Sequence, residues 1–414
     1  MRRRFLAGFA LVPAALFVTI QSGQLSYSTP AAAQAAAAQS MPQSIQARAC
    51  DDHCNAQWMD TNLRLDQLQV VGTAQSYKQR PSSALMGLIR MGSRKDAETL
   101  DFGLPTLDAQ LDADVRSLQF DVAYDPQGGA YKNPAGASMA MDLLPDDYIR
   151  AMTRPGFKVI HVLDVDYQSS CLALADCLKQ VSAWSKAHPR HLPIVIALKT
   201  NDTKTPMPGA TRPRACDQAA LDALDGEIRA AFTADQIITP GQMQGRYASL
   251  REAALAHAWP RLGAARGKVI FVLDDSAAKT NAYQGARKSL EGRALFVTAD
   301  ETSPLAAFVS IADPVKDGAR IQAAVQAGFI VSTRADEDTR EARASKTARR
   351  DAAFASGAQI VQTNFAAADP AIGQYRVSLA DDPAALCGRQ LASEHCVRFE
   401  APAAPLRTAT AAIP

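Results

Sequence analysis

Along the 414-residue chain, short apolar runs alternate with longer stretches in which apolar residues recur at helical spacing. The runs are LQVVG (68–72), VRSLQFDV (115–122), FKVIHVLD (157–164), LPIVIAL (192–198), KVIFVLD (268–274), ALFVTAD (294–300), FIVSTRAD (329–336) and AQIVQTN (358–364). Most are β-branched or aromatic and apolar almost throughout, the pattern of strands buried on both faces of a parallel sheet. Between them, CLALADCLKQVSAWSKAH (171–188), ALDALDGEIRAAF (220–232) and RYASLREAALAHAW (246–259) read as amphipathic helices. ARIQAAVQAG (319–328) ends on a glycine suited to a helix C-cap. Eight strand-helix units predict a TIM-type (β/α)8 barrel at 68–400. A doubly wound open sheet is the alternative, but VVGTAQSY after the first strand lacks its glycine-rich phosphate turn.

In such a barrel the chemistry sits at the C-terminal ends of the strands. Those ends supply Thr73 to Gln75, Gln119 with Asp121, His161 with Asp164 and Asp166, Lys199, Asp274 with Asp275, Asp300, Arg334 with Asp336, and Asn364. Any one of them is explained by a strand leaving the core. A ring of them points to a ligand site.

Composition narrows the class of partner. A net charge of +2 from 44 basic and 42 acidic residues offers no basic excess for nucleic acid. MRRR at the start, the apolar run 5–20 and the small-residue stretch TPAAAQAAAAQS (29–40) predict a signal peptide over 1–38 and export to the periplasm or beyond. The apolar run is short for a membrane span, and no other segment would provide one. A polar lead-in is expected at 39–67 and a disordered Pro/Ala-rich tail at 401–414. Seven cysteines suit an exported chain. Cys50/Cys54, Cys171/Cys177 and Cys387/Cys396 read as local disulfides, with Cys216 left over as a buried or free thiol. CDDHC (50–54) and EHC (394–396) admit a metal reading, though neither has the two spaced pairs of a zinc site.

With these residues laid out, the chain resembles the bacterial calcium-dependent phosphoinositide phospholipase C-like family. The resemblance rests on KVIHVLDVDYQSSC (158–171), AHPRHLPIVI (187–196), AWPRLGAARGKVIFVLDD (258–275), LEGRALFVTAD (290–300), GFIVSTRADEDTREAR (328–343) and ASGAQIVQTNF (355–365). It implies a TIM-type barrel and cleavage of a phosphodiester by the neighbouring inositol hydroxyl. Such chemistry needs a general base, a general acid and a cation on the phosphoryl oxygens. The resemblance places one histidine in a Gly-Thr-His-Asn-Ser-Tyr turn after the first strand and a second at the end of the third. Calcium would take oxygen ligands from that Asn, a Glu-x-Asp pair on the second strand and a polar residue ending the fourth.

This sequence departs from that pattern. Its turn reads Gly72-Thr73-Ala74-Gln75-Ser76-Tyr77, so Ala74 stands where the first histidine is expected and Gln75 where the Asn is. The second-strand pair is Gln119-Phe120-Asp121, and Lys199 falls at the fourth-strand ligand position. His161 is retained. The expectation is loss of calcium dependence, with His161 as the acid and Lys199 as a fixed cation in place of the metal. Lys78, Arg334 and Asp121 are further substrate-binding candidates, although Asp121 and Lys199 also read as a structural ion pair. DPQGGAY (125–131) resembles the family's loop after the second strand and is also a plain glycine turn. His188 and His191 belong to a helix-to-strand connector, and His257 reads as a helix residue serving the surface or packing. The implied partner is a lipid or small-molecule headgroup of inositol phosphate type, with peripheral membrane contact left open. A pseudoenzyme that only binds such a headgroup is the second reading, and an interaction protein with an empty pocket is the third.

Overall fold

The computed structural model describes residues 56–379 and 386–387; the signal-like segment, Cys50, Cys54, Cys396 and the tail lie outside them. Eight parallel strands form the ring: β1 (Leu68–Thr73), β2 (Ser117–Ala123), β4 (Ile194–Thr200), β5 (Val269–Leu273), β6 (Leu295–Val297), β7 (Phe308–Ser310), β8 (Ile330–Arg334) and β9 (Ile360–Thr363). They are ordered β6-β5-β4-β2-β1-β9-β8-β7. The two end strands meet through one parallel bridge between Thr298 and Phe308, which closes the ring into the expected barrel.

The membership differs from the sequence reading in two places. The run 157–164 is no barrel strand: only β3 (Lys158–Val159) is extended, and it pairs antiparallel with β2. The chain then folds back on itself through a bridge between Val162 and Asp166, with Asp164 in the left-handed region at φ 67°. Phe157, Val159, Ile160 and Leu163 are buried all the same, so the apolar run reflects burial without a barrel register. The eighth ring strand is instead β7, three residues with Phe308 packed inward. A short tenth strand, β10 (Leu386–Cys387), pairs antiparallel with the start of β1.

Register fixes which side chains point into the ring. Gly72 faces Ser117, and a Cβ added there would fall 2.6 Å from the Ser117 Cβ, so the two strands approach closely only with glycine. Ser117, Val195, Ala197, Val272, Ile360 and Gln362 line an interior space of about 20 Å³, a packed core with no channel. On the outer face Leu118, Phe120, Ile196, Leu198, Phe271 and Leu273 are buried against the helices.

Helices Leu174–Ala187, Gln218–Ala231 and Gly318–Gln326 match three of the expected four, and Gly328 after the last has φ 94°. The stretch 246–259 forms only Leu250–Leu255, capped by the Ser249 hydroxyl accepting from the Glu252 amide. His257 therefore lies past the helix at φ 48°, with its Nδ1 2.6 Å from Asp66 Oδ2. Within the expected lead-in, helix Ala56–Asn62 runs into Leu63 and Leu65, which join Met59 in the main core. Cys171 and Cys177 form a disulfide and Cys216 is free and buried.

Candidate functional site

The turn after β1 is pinned from both sides. The Ala74 amide donates to Thr363 O on β9, and the Ser76 amide donates to Gln119 O on β2. The Ser76 hydroxyl also accepts from the Gln119 amide, at 2.8 Å. The Gln110 amide group donates to Ser76 O while its oxygen accepts from the Thr73 hydroxyl. Gln75 takes φ 47°, which swings its side chain toward the loop that follows β3. Ala74 itself has no exposed surface.

His161 stands in that loop, one-fifth exposed, between two partners. Its Nδ1 lies 2.7 Å from Asp166 Oδ2 and therefore donates to the carboxylate. Its Nε2 lies 3.2 Å from Gln75 Nε2. With the imidazole neutral, the amide donates there; turned over, its oxygen would accept from an imidazolium. The Gln75 oxygen is buried without a partner in the present orientation. The loop is anchored by the Asn201 amide, which donates to both Ile160 O and His161 O.

Asp166 has a second tie. Lys78 Nζ lies 3.2 Å from the same Oδ2 and donates to Leu100 O and Phe102 O at 2.8 and 2.9 Å. Lys78 and Asp166 are both fully enclosed, so the ammonium presents no face to a ligand. Burial pulls the Lys78 pKa below its ordinary value, opposed by the Asp166 charge.

Across the mouth, Asp121 and Lys199 are register partners on β2 and β4 and point the same way. Asp121 is buried and accepts from the Tyr77 hydroxyl at 2.8 Å. Burial holds its carboxyl above the usual carboxylate range; His161, Tyr77, Lys199 and Arg334 all pull it down. Lys199 is exposed and makes no hydrogen bond or ion pair among the described residues. Arg334 ends β8 half-buried, donating from Nε to Asp336 O, with Nη2 buried and without a partner. Gln119 is half-buried one step below Asp121. Asp274 follows β5, where burial raises its carboxyl pKa against the Thr298 hydroxyl and the Lys199 charge.

The structure thus gathers Gln75, Asp121, His161, Lys199 and Arg334 at one mouth and leaves Lys78 beneath it. Asp300 is exposed and Asp336 is wholly buried against Thr363 and the Asn364 amide. Asp275 takes the Thr200 amide and hydroxyl. Between the ends of β5, β6 and β7 lies a cavity of about 420 Å³, lined by Asp274, Asp275, Thr298, Asp300, Ser310 and Arg320. The link from Asp166 to His161 is not apparent in the sequence: five residues apart on a strand, the two would face opposite sides. The Val162–Asp166 turn brings them together. Among the described residues, no three His, Cys, Asp or Glu side chains gather as a metal would need. No described helix is long and apolar enough to cross a membrane.

Among solved structures, the chain is similar to a calcium-dependent phosphoinositol-specific phospholipase C of a Gram-negative Pseudomonas species. The two share 16% identity over 76% of this chain and 94% of that one, with a TM-score of 0.47. It is likewise similar to the calcium-dependent phosphatidylinositol-specific enzyme of Streptomyces antibioticus, at 16% identity over 73% and 94%, TM-score 0.45. The Listeria monocytogenes phosphatidylinositol-specific phospholipase C shares 12% over 74% and 93%, TM-score 0.40. No curated protein matches in sequence. The family described as phosphoinositide phospholipase C, Ca2+-dependent, matches residues 63–388, far more than half of the chain. By that match, the chain belongs to the calcium-dependent phosphoinositide phospholipase C family.

Proposed function

We propose that this is an exported protein whose barrel mouth binds the phosphoryl group of an inositol phosphate or phosphatidylinositol headgroup without calcium. The observation that supports this reading is the Lys78–Asp166–His161–Gln75 chain, which holds one imidazole at the mouth beside two cationic side chains. Calcium does not suit the donor set. Of the positions the family uses for the metal, Asp121 alone supplies a carboxylate, Gln75 and Gln119 are neutral amides, and Lys199 is a cation. No step is therefore routed through the metal. Lys199 and Arg334 supply fixed positive charge for the phosphoryl oxygens instead. Lys78, being enclosed, is a positioning residue that acts through Asp166.

In the catalytic form of this reading, the neighbouring inositol hydroxyl attacks phosphorus and the bond to the glycerol oxygen breaks. His161 Nε2–H protonates that leaving oxygen, with Asp166 stabilising the imidazolium. The hydroxyl proton passes to water or to a phosphoryl oxygen, because Ala74 offers no base. Absence of the base costs about 10²–10⁴-fold in rate. A binding protein without turnover is the second reading, favoured by the complete enclosure of Ala74.

Release of soluble inositol phosphate from phosphatidylinositol, with calcium, with chelator and with His161→Ala, tests the first reading. Release that survives chelation and vanishes in the variant is expected. Without release, saturable inositol phosphate binding that weakens in Lys199→Met supports the second. Neither release nor binding refutes both.

A further inference from the structure

A carboxylate stands among the cationic side chains of the mouth, where an anionic ligand would meet it. Asp121 is 8% exposed, and its carboxylate accepts one side-chain hydrogen bond among the described residues, from the Tyr77 hydroxyl at 2.8 Å. Tyr77 has no exposed surface and lies in the turn after β1, so the carboxylate is held in place from within the protein. Asp121 and Lys199 are register partners on neighbouring strands, yet they form no ion pair, and Lys199 stays exposed. Burial raises the Asp121 carboxyl pKa, while His161, the Tyr77 hydroxyl, Lys199 and Arg334 each lower it. The groups that would hold a phosphoryl oxygen therefore surround this carboxylate. A second one, Asp274, follows β5 and feels both Lys199 and Asp121. Lys78 and Asp166 cancel each other within their own enclosed pair and add no net charge.

Positive charge at the mouth is thus limited. Lys199 and Arg334 supply two cations, and Asp121 and Asp274 stand against them. Near pH 8 a phosphodiester carries one negative charge, whereas a phosphomonoester carries two, because its second ionisation lies at about pH 6. Either ester can lay oxygens on Lys199 and Arg334. The second charge of the monoester then faces Asp121 with no further cation to offset it. In a partly desolvated site that repulsion is larger than it would be in water.

We propose that Asp121 determines the specificity of the mouth, repelling dianionic phosphomonoesters while admitting monoanionic phosphodiesters. The proposal rests on the reading of the mouth as a phosphoryl site and adds which ester that site takes. Its test uses two ligands that differ by one methyl group and one charge: inositol 1-phosphate and its methyl ester. Calorimetry of the purified full chain at pH 8 gives both dissociation constants, with chelator present to keep stray divalent ions off Asp121. The methyl ester is expected to bind about tenfold more tightly. Asp121→Asn keeps an oxygen for the Tyr77 hydroxyl and removes the charge. A unit charge beside the ligand acts twice as strongly, in free energy, on a dianion as on a monoanion. The variant should therefore bind the methyl ester about tenfold and inositol 1-phosphate about a hundredfold more tightly than the parent, erasing the preference. Lys199→Met, at an exposed position, removes a charge of the opposite sign; it should weaken both ligands and widen the preference. A preference that neither variant changes overturns the proposal. Equal binding of the two ligands by the parent also overturns it, but leaves the mouth standing as a phosphoryl site. Binding of neither ligand removes that reading and the proposal together.

Discussion

Acid should weaken this fold through one buried imidazole in particular. His191, in the connector leading into β4, is buried with both ring nitrogens engaged. Nδ1 donates to Leu192 O at 2.5 Å, and Nε2 accepts from the Ser185 hydroxyl at 2.7 Å. Burial holds its pKa down to about 4 from the ordinary 6.5, and Arg116, His188 and Arg266 add repulsion to any charge placed there. The folded state thus binds this proton more weakly than the unfolded chain does. Stability is untouched above pH 6.5 and is lost as pH falls from 6.5 toward 4. The gap of 2.5 units, at about 1.36 kcal/mol each, is worth ~3 kcal/mol once the pH is below both values. Carboxylates titrate in the same window, so wild type alone cannot isolate the effect. His191→Asn retains a donor for Leu192 O but cannot be protonated. At pH 7.5 the variant should be the less stable by ~1–2 kcal/mol from lost packing. By pH 4 that order should reverse, because the parent alone has given up the ~3 kcal/mol. Urea unfolding at a series of pH values measures the difference. A stability difference that stays constant from pH 7.5 to 4 would refute the reasoning.

Asp336 works in the opposite sense. Burial pushes its carboxyl up to about 6 despite the Thr363 hydroxyl and the Asn364 amide. Its contribution is full below the ordinary 3.8 and is lost as pH rises to about 6, so Asp336→Asn should gain up to ~3 kcal/mol on wild type near pH 7. A gain that does not grow between pH 4 and 7 in denaturant titrations would rule this out. The Cys171–Cys177 disulfide closes a loop of sequence separation 6 at the entry to helix Leu174–Ala187. The double alanine variant should lose about 2 kcal/mol, and an unchanged urea midpoint would contradict that estimate.

Much of the barrel was legible because its strands are written in the residues a doubly covered sheet requires. Val70, Val71, Ile194, Val195, Ile196, Val269, Ile270 and Val272 leave little else to predict. β7 escaped because three residues between Pro304 and Pro314 give periodicity nothing to work with. The run 157–164 misled because apolar content reports burial, and burial here comes from packing against β2 and the excursion at 135–153. At the mouth, the strand ends named most of the polar residues that now lie together. Their division of labour was not readable. Nothing in the spacing says that Lys78 is sealed beneath Asp166 while Lys199 is open, since that depends on where Leu100 and Phe102 aim their carbonyls.

His161 is not mounted on the barrel wall. It rides on a cantilever that leaves the ring after a two-residue antiparallel contact with β2 and doubles back at Asp166. Its stiffness comes from fastenings outside the ring ladder: the Asn201 amide under its backbone, the Lys78–Asp166 pair, and Gly136 pressed against Asp164. The imidazole is accordingly geared to the turn after β1, where Gln75 and Lys78 both reside, and through that turn to β2 and β9, which pin it. A shift of that turn by a fraction of an ångström would be passed on to both of its ring nitrogens.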